Sequence, residues 1–309
     1  MRELVVVSGK GGTGKTSIVA ALAALSGRAL LADCDVDAAN LHLALQPTVR
    51  QREVFAGGQR ARIDPARCTG CGRCAEVCRF AAVRAAAPAY ASGEPAPAPV
   101  YHSDPMACEG CGVCTWCCPE QAIAFEPAIS GEWFVSDTRH GPMVHARLYP
   151  GGENSGKLVT LIRRQARQLA ELHGLELIVV DGSPGIGCQV MASVTGADLV
   201  LIVSEPTLAG LHDFGRIADL AAHFQAPAAL CINKCDLNPQ LTLELERAAH
   251  DRRIGVVGRI RYTAAFTRAQ RRGLSVVECD DDPAADEVRQ VWAHLEPLVG
   301  DGELALNTL

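Results

Sequence analysis

Short runs of apolar residues recur along the chain, and each run ends in a polar residue or a glycine. The strand-like runs are residues 4–7, 29–32, 177–180, 199–203, 228–232 and 254–257. Stretches with helical character lie at 15–26, 156–173, 208–223, 240–250 and 284–298. Apolar strands that alternate with helices are typical of a parallel sheet covered on both faces. The pattern predicts an α/β fold with a mostly parallel sheet, and ligands are expected at the carboxyl ends of its strands.

Residues 62–128 interrupt this alternation and contain an internal repeat. The segment from Asp64 to Val83 recurs 40 positions later as the segment from Asp104 to Ile123, and each copy carries four cysteines at the same spacing. An alanine- and proline-rich link, residues 85–99, joins the copies and is expected to be irregular. We therefore predict a discontinuous α/β domain, formed by 1–61 and 129–309, and a small inserted α+β domain at 62–128.

Composition and charge limit the classes of function. The 309 residues are 48% hydrophobic and 21% charged, which predicts a folded chain, and the net charge of −6 argues against a broad surface for nucleic acid. No apolar run approaches the roughly 18 residues of a membrane span, so no membrane insertion is expected. The first residues lead directly into a strand without a signal peptide, and eight of the 14 cysteines fall in two tight clusters. These features together predict a cytoplasmic protein with metal-ligating thiols rather than disulfides.

A phosphate-binding loop lies between the first strand and the first helix. Residues 9–16, G-K-G-G-T-G-K-T, satisfy the pattern G-x-x-x-x-G-K-[ST] in the context that this motif requires. Its backbone N–H groups can surround a phosphate, Lys15 can reach the β- and γ-phosphates, and Thr16 can bind Mg²⁺. The predicted nucleotide-binding residues of the loop are Gly9, Lys10, Gly11, Gly12, Thr13, Gly14, Lys15, Thr16 and Ser17.

The additional lysine of this loop, Lys10, makes the motif more specific. The loop resembles the deviant Walker A motif of the superfamily that includes MinD, ParA, Mrp and the nitrogenase iron protein. That resemblance implies a P-loop ATPase that forms a nucleotide-dependent homodimer. It also implies that Lys10 reaches across the dimer to the phosphates bound by the partner.

Two aspartate-containing segments extend the resemblance. Residues 33–41 follow the second strand as switch I does, which implies that Asp35 orients the attacking water and that Asp33 supports the metal. Residues 181–185 resemble the Walker B and switch II element, which implies that Asp181 holds Mg²⁺ through water. The resemblance thus makes Lys10, Lys15 and Asp35 the catalytic residues, and it makes Thr16, Asp33 and Asp181 the magnesium site.

A third segment, Asn233-Lys234-Cys235-Asp236, follows the strand at 228–232. The superfamily recognises the nucleotide base at this place, so Asn233, Lys234 and Asp236 are expected to bind the base. The pattern N-K-x-D is also the guanine signature of small GTPases. The Walker A motif favours ATP, and GTP remains the alternative.

The cysteines of the repeat resemble those of a dicluster ferredoxin. In the bacterial C-x₂-C-x₂-C-x₃-C run, the fourth cysteine binds the other cluster. This implies one 4Fe–4S cluster on Cys68, Cys71, Cys74 and Cys118, and a second on Cys108, Cys111, Cys114 and Cys78. Zinc is the alternative metal, because paired C-x-x-C motifs also bind it. Cys117 is an additional thiol beside the ligand set.

Cys188 lies seven residues after Asp181, near the place where the nitrogenase iron protein carries a cluster-ligating cysteine. A redox or switch role is one hypothesis for this residue. The other is an ordinary small buried side chain.

The whole chain thus resembles MinD-superfamily P-loop ATPases that contain an inserted ferredoxin domain. The first functional hypothesis is an ATPase that couples ATP hydrolysis to electron transfer through two 4Fe–4S clusters to a partner protein. The second is an iron–sulfur carrier of the Mrp type, for which the clusters are cargo. The third is a positioning ATPase similar to MinD. The expected cofactors are ATP, Mg²⁺ and the two clusters.

Overall fold

The computed structural model describes residues 1–86, 99–152, 156–279 and 282–300. The chain divides into two compact units. Unit 1 comprises Met1–Glu53, Glu132–Arg147 and Asn154–Leu309, and unit 2 comprises Val54–Gly131 and Leu148–Glu153. Most of the predicted link at 85–99 lies outside the described residues.

The described chain forms the following elements. The strands are β1 (Arg2–Ser8), β2 (Leu30–Asp33), β3 (Thr48–Ile63), β4 (Val83–Ala85), β5 (Tyr101–Ser103), β6 (Ile123–Thr138), β7 (Gly141–Leu148), β8 (Leu177–Pro184), β9 (Leu199–Ser204), β10 (Ala228–Asn233) and β11 (Gly255–Ile260). The helices are α1 (Lys15–Leu25), α2 (Leu41–Leu45), α3 (Arg73–Glu76), α4 (Val113–Cys117), α5 (Lys157–His173), α6 (Cys188–Val194), α7 (Leu208–His223), α8 (Pro239–Asp251), α9 (Ala265–Arg271) and α10 (Pro283–Val299). A 3₁₀ turn, Val276–Glu278, precedes α10.

Unit 1 is built on a large sheet with the strand order β11-β10-β9-β1-β8-β2-β7-β6-β3, of which β6 and β3 continue into unit 2. The pairs from β11 to β7 are parallel. The side chains of the central strands β1, β8 and β9 are almost wholly buried. All six predicted strands and all five predicted helices are present, so the prediction of an α/β fold with a mostly parallel sheet is confirmed.

Several helices of unit 1 begin at residues that satisfy free backbone N–H groups. The side chains of Thr207 and Asn238 accept hydrogen bonds from N–H groups in the first turns of α7 and α8. Asp282 does the same for α10, and a proline follows at the first helical position of α8 and of α10. These capping residues fix where each helix starts after its loop.

The sequence pattern did not predict the long strands β3, β6 and β7. The side chains of β3 are mostly exposed, so this strand has no contiguous apolar run that would mark it. Polar pairs join the strands instead: Arg52 bonds to Glu132, and Arg50 Nε lies 2.6 Å from Asp137 Oδ2. A prediction based on buried apolar strands misses elements of this kind.

The two copies of the repeat in unit 2 have the same local structure. In each copy a cysteine N–H donates to the carbonyl of the aspartate four residues earlier, from Cys68 to Asp64 (3.0 Å) and from Cys108 to Asp104 (3.1 Å). A glycine with positive φ then precedes each short helix, α3 or α4. Strands β4 and β5 pair in antiparallel fashion.

Within the described residues, no helix combines the length and the apolarity that crossing a bilayer requires.

Candidate functional site

The glycine-rich loop connects β1 to α1 at the carboxyl edge of the sheet. Gly12 and Gly14 have φ values of 80° and 92°, which favour glycine, and these values turn the backbone where the loop enters the helix. Ser8 at the end of β1 donates through Oγ to the carbonyl of Lys10 (3.0 Å). The loop therefore precedes the amino end of an 11-residue helix, the arrangement that binds phosphate.

Lys15, the first residue of α1, lies among the predicted acidic residues of the site. Its Nζ atom donates to Asp181 and lies 3.4 Å from Asp35 Oδ2. Asp33 and Asp181 are register neighbours on the adjacent parallel strands β2 and β8. Asp33 accepts hydrogen bonds from the N–H groups of Asp35 (3.2 Å) and Leu41 (3.3 Å), and these bonds shape the turn after β2.

The electrostatics of this group are those of one lysine among three carboxylates. Burial lowers the pKa of Lys15, but Asp181 and Asp35 outweigh burial and leave that pKa above its ordinary value. Burial and the neighbouring Asp181 raise the pKa of Asp33 well above its usual range, and burial likewise raises the pKa of Asp35. The site carries an excess of negative charge that a cation would relieve.

Three buried polar atoms around the loop have no hydrogen-bond partner among the described residues. They are Thr13 Oγ1, Asn40 Oδ1 and Asp181 Oδ2. Buried polar atoms are nearly always paired, so unpaired ones at one edge of the sheet suggest a ligand. Carboxylate and hydroxyl oxygens are also the protein ligands that Mg²⁺ prefers, so Thr16, Asp33 and Asp181 have the chemistry for that ion, and their assignment as the magnesium site stays a prediction.

Two of the three residues expected to recognise the base, Asn233 and Lys234, contact the glycine-rich loop itself. Asn233 Nδ2 donates to the carbonyl of Thr13 (2.6 Å), and Lys234 Nζ donates to the carbonyl of Gly12 (2.8 Å). Asp236 accepts a hydrogen bond from the backbone N–H of Tyr262 (2.6 Å). The segment after β10 thus supports the loop from the side, and its role toward a base stays a prediction.

Glu205, the residue after β9, is one that the sequence analysis did not assign to the site. Its carboxylate lies 2.5 Å from Lys10 Nζ and 2.8 Å from Lys234 Nζ. Burial raises the pKa of Glu205, but hydrogen bonds from the two lysines outweigh burial and hold that pKa below its ordinary value. The available signal was its position, since an acidic residue directly after a buried strand lies at the ligand edge.

Unit 2 contains two small cavities, and each is lined by four cysteines. The first is lined by Cys68, Cys71, Cys74 and Cys118. The second is lined by Cys78, Cys108, Cys111 and Cys114. Each set takes three cysteines from one copy of the repeat and the fourth from the other copy. This is the grouping that the ferredoxin resemblance implies.

The thiols around these cavities differ in their acidity. Burial raises the pKa of Cys114 to about 11. At Cys78 burial also raises the pKa, but backbone N–H groups at the sulfur outweigh it, and the pKa is lowered. No group of three or more His, Cys, Asp or Glu in the described part of the chain is arranged to hold a single metal ion. The thiolate ligands of a cubane stand farther apart than those of one ion, because iron and sulfide atoms separate them.

Cys188 is exposed and is the first residue of α6. The hypothesis of a small buried residue is therefore wrong for this position, because the side chain faces solvent. Its redox role stays a prediction. Of the other cysteines outside the two sets, Cys34 and Cys231 are buried.

Comparisons with known proteins place the chain in a family. Residues 4–276 match the family model described as the CobQ/CobB/MinD/ParA nucleotide binding domain. The uncharacterized protein MJ0578 of Methanocaldococcus jannaschii is 32% identical over 245 residues, which cover 76% of this chain and 79% of that protein.

Solved structures show the same fold. The septum site-determining protein MinD complexed with Mg-ADP from Pyrococcus horikoshii has a TM-score of 0.57 at 15% identity and covers 97% of both chains. The cell division ATPase MinD of Pyrococcus furiosus has a TM-score of 0.56 at 16% identity and covers 96% of this chain and 99% of that one. The chain belongs to the CobQ/CobB/MinD/ParA family of nucleotide-binding domains.

Proposed function

We propose that the protein is a magnesium-dependent ATPase that acts as a nucleotide-controlled switch and closes into a homodimer around ATP. The observation that carries this proposal is the contact of Lys15 with Asp35 and Asp181. It brings the phosphate-binding lysine together with one residue from each of the two switch segments. The ATPase of Pyrococcus furiosus, which shares the fold, supports the same activity.

The chemistry follows from the positions of these side chains. Mg²⁺, when bound, neutralises charge on the phosphates. Lys15 moves from the carboxylates to the phosphate oxygens, and Asp35, released from Lys15, orients a water molecule by accepting its hydrogen bond. The water oxygen forms a bond to the γ-phosphorus, and the bond from that phosphorus to the bridging oxygen breaks. ADP leaves with the electron pair, and the water proton passes to Asp35 or to the phosphate released.

The same rearrangement would transmit the nucleotide state through the fold. Asp35 lies in the turn after β2, and Asp181 lies in β8, whose last residues lead to Gly185. The N–H of Gly185 donates to the carbonyl of Ser8 (2.8 Å), and Ser183 Oγ donates to the carbonyl of Cys34 (2.8 Å). These bonds join the switch II segment to the end of β1 and to the switch I segment, so a change at Lys15 would reach both segments.

Binding of fluorescent ATP and GTP to the full chain, with and without Mg²⁺, tests this proposal. Tight, Mg²⁺-dependent binding of ATP followed by phosphate release is expected. A preference for GTP would instead promote the guanine interpretation of Asn233 to Asp236. Absence of binding for both nucleotides would contradict the proposal.

A second candidate function is electron transfer through two 4Fe–4S clusters in unit 2. The specific observation in its favour is the pair of cavities, each lined by four cysteines in a three-plus-one grouping. The clusters, when bound, would supply one-electron chemistry. The comparisons favour the positioning ATPase over this function, because the solved structures with the same fold include a cell division ATPase and a ParA family ATPase. Carriage of clusters as cargo is the remaining alternative.

Iron and acid-labile sulfide in anaerobically purified protein distinguish these alternatives. Close to eight of each per chain is expected if both cysteine sets hold 4Fe–4S clusters. Stoichiometric zinc with little sulfide would contradict the iron–sulfur assignment and leave the ATPase proposal standing.

A further inference from the structure

The carboxylate of Glu205 lies between two lysines of unit 1 that are distant in sequence. Its Oε1 atom lies 2.5 Å from Lys10 Nζ, and its Oε2 atom accepts a hydrogen bond from Lys234 Nζ at 2.8 Å. The Glu205 side chain is only 11% exposed. One nearly buried carboxylate therefore pairs with two ammonium groups at the side of the glycine-rich loop.

The two lysines are held to different degrees. Lys234 has a second anchor, because its Nζ atom also donates to the carbonyl of Gly12, and its backbone is fixed in a left-handed conformation (φ 56°). The side chain of Lys10 is 39% exposed, and Glu205 is the one ion-pair partner found for it within the described residues. Of the two lysines, Lys10 is the one that can leave at small cost.

Departure of Lys10 does not leave the Glu205 carboxylate without a cation. A buried carboxylate without a cation is strongly unfavourable, but Lys234 Nζ also lies 2.8 Å from Glu205 and can stay as its counterion after Lys10 leaves. The arrangement thus provides a resting position for Lys10 together with a permanent counterion for the group that holds it.

We propose that Glu205 is a positioning residue that holds Lys10 against its own protomer until a nucleotide-bound second copy draws it away, while Lys234 stays as the counterion of Glu205. This rests on the proposed function, since it requires Lys10 to act across a dimer. In the monomer, Glu205 competes with the phosphates of the second copy for the same ammonium group. The competition makes the dimer dependent on bound nucleotide, because only the phosphates outweigh the carboxylate.

The test measures the dissociation constant of the dimer by analytical ultracentrifugation, with the full chain, Mg²⁺ and a saturating non-hydrolysable ATP analogue. Glu205→Gln keeps the shape of the side chain and removes its charge, so the dimer is expected to become about fivefold tighter, the product of roughly a factor of two for the ion pair of each protomer. Glu205→Asp keeps the charge and is expected to retain the parent dissociation constant. Glu171→Gln, which removes an exposed charge from α5, is the matched control and is expected to change nothing.

A second variant, with the opposite expected effect on the dissociation constant of the dimer, tests the proposal if Glu205→Gln does not fold. Lys234→Met removes the permanent counterion, so release of Lys10 then leaves Glu205 without a cation. The dimer is therefore expected to weaken at saturating nucleotide. In a Lys10→Ala background, which is expected to lose the nucleotide-dependent dimer, neither Glu205→Gln nor Lys234→Met is expected to restore it.

The outcomes separate this proposal from the proposed function. A parent that dimerises with the ATP analogue, alongside a Glu205→Gln dimer no tighter than that of the parent, overturns the role of Glu205 alone. The same holds if Glu205→Gln restores dimerisation in the Lys10→Ala background, because the effect then does not pass through Lys10. If neither the parent nor Glu205→Gln dimerises although the nucleotide binds, both proposals fail. If no nucleotide binds, the failure already lies in the proposed function.

Discussion

The charged residues beside the loop form an arrangement that is unfavourable when no ligand is bound. Lys15 is surrounded by three buried carboxylates, Asp33, Asp35 and Asp181, and it can neutralise only one unit of their charge. Such a group is retained at a cost in folding stability, because buried like charges repel. Bound Mg²⁺ would relieve that repulsion, which connects the stability of the site to its ligand.

Substitution of Lys15 and of Asp35 should separate binding from hydrolysis. Lys15→Ala removes the ammonium group that meets the phosphates, so most ATP binding should be lost. Asp35→Ala leaves the loop intact and should preserve binding while phosphate release falls about 100-fold or more, the range for a residue that positions the attacking group. Equilibrium binding and single-turnover hydrolysis measure the two effects. Hydrolysis by Asp35→Ala at the parent rate would show that the switch I assignment is wrong.

Asp33→Asn should stabilise the nucleotide-free protein and weaken its response to magnesium. The amide removes one negative charge beside Asp181 and keeps an oxygen for one of the two backbone hydrogen bonds. We expect the melting temperature without ligand to rise by about 2 °C, the effect of roughly 1 kcal/mol in a chain of this size. The increase on adding Mg²⁺ and ATP should shrink. Asp137→Asn, at an exposed pair, is the control, and a lower melting temperature for Asp33→Asn would contradict the repulsion.

At the scale of elements, sequence pattern predicted the strands that carry a contiguous apolar run, most of which are buried, and missed the long strands whose side chains are largely exposed. The run at 4–7 and the motif after it predicted β1, the loop and the start of α1, because burial and glycine chemistry are both local signals. Strand β3 lacks such a run, since cross-strand ion pairs rather than apolar contacts mark its face. Glu205 was not predicted as a site residue for a further reason. Its partner Lys10 lies 195 positions earlier in the chain, and no local sequence pattern indicates such a contact.

The end of the β6–β7 hairpin is connected to the 3₁₀ turn by a group centred on Glu278. Arg139 donates to both carboxylate oxygens of Glu278 (2.6 and 2.8 Å) and to the carbonyl groups of Ala44 and Leu45. His140 lies 3.1 Å from the same carboxylate. Burial acts to raise the pKa of Glu278, but the hydrogen bonds from Arg139 and Ser275 outweigh it and lower that pKa to about 2.

This group predicts a defined window of acid sensitivity. Because the folded pKa of Glu278 lies below the unfolded value, its stabilisation is fully present above about pH 4.5 and is lost as pH falls toward 2. Glu278→Gln should cost ~1 kcal/mol at pH 7, after allowance for solvent screening. The difference between parent and variant should stay constant from pH 7 to 5 and then shrink. Urea unfolding at several pH values measures it, and a constant difference down to pH 3 would contradict the assignment.

The paired cavities of unit 2 predict that one cysteine set can be damaged without the other. Cys71 lines only the first cavity, so Cys71→Ser should impair the first cluster and leave the electron paramagnetic resonance signal of the second. Cys117 lines neither cavity and donates through its thiol to the carbonyl of Cys114 (3.3 Å), which makes Cys117→Ser the matched control. Loss of both signals in Cys71→Ser alone would contradict independent sites.

At the scale of the whole molecule, two units with different chemistry share one chain. Both of the long strands that lead between them, β3 and β6, begin in one unit and end in the other. The family match spans residues 4–276 and thus covers both units. A nucleotide can drive only a change between states that differ in their affinity for it, and such coupling is reciprocal.

Coupling between the two units is the prediction that decides among the functional hypotheses. If nucleotide-driven closure changes the environment of the clusters, ATP with Mg²⁺ should shift the reduction potential or the resonance line shape of at least one of them. Lys10→Ala should lose that shift together with the nucleotide-dependent dimer, because both depend on closure, whereas binding of ATP to the monomer should persist. Redox titration of the reconstituted full chain, with and without nucleotide, measures the effect, and Glu171→Gln serves as the control.

If ATP leaves the cluster spectra unchanged but stimulates release of clusters to an apo-acceptor, the carrier hypothesis replaces electron transfer. If ATP drives dimerisation and affects neither the spectra nor release, the protein is a positioning ATPase whose cysteine-bearing unit is independent of its switch.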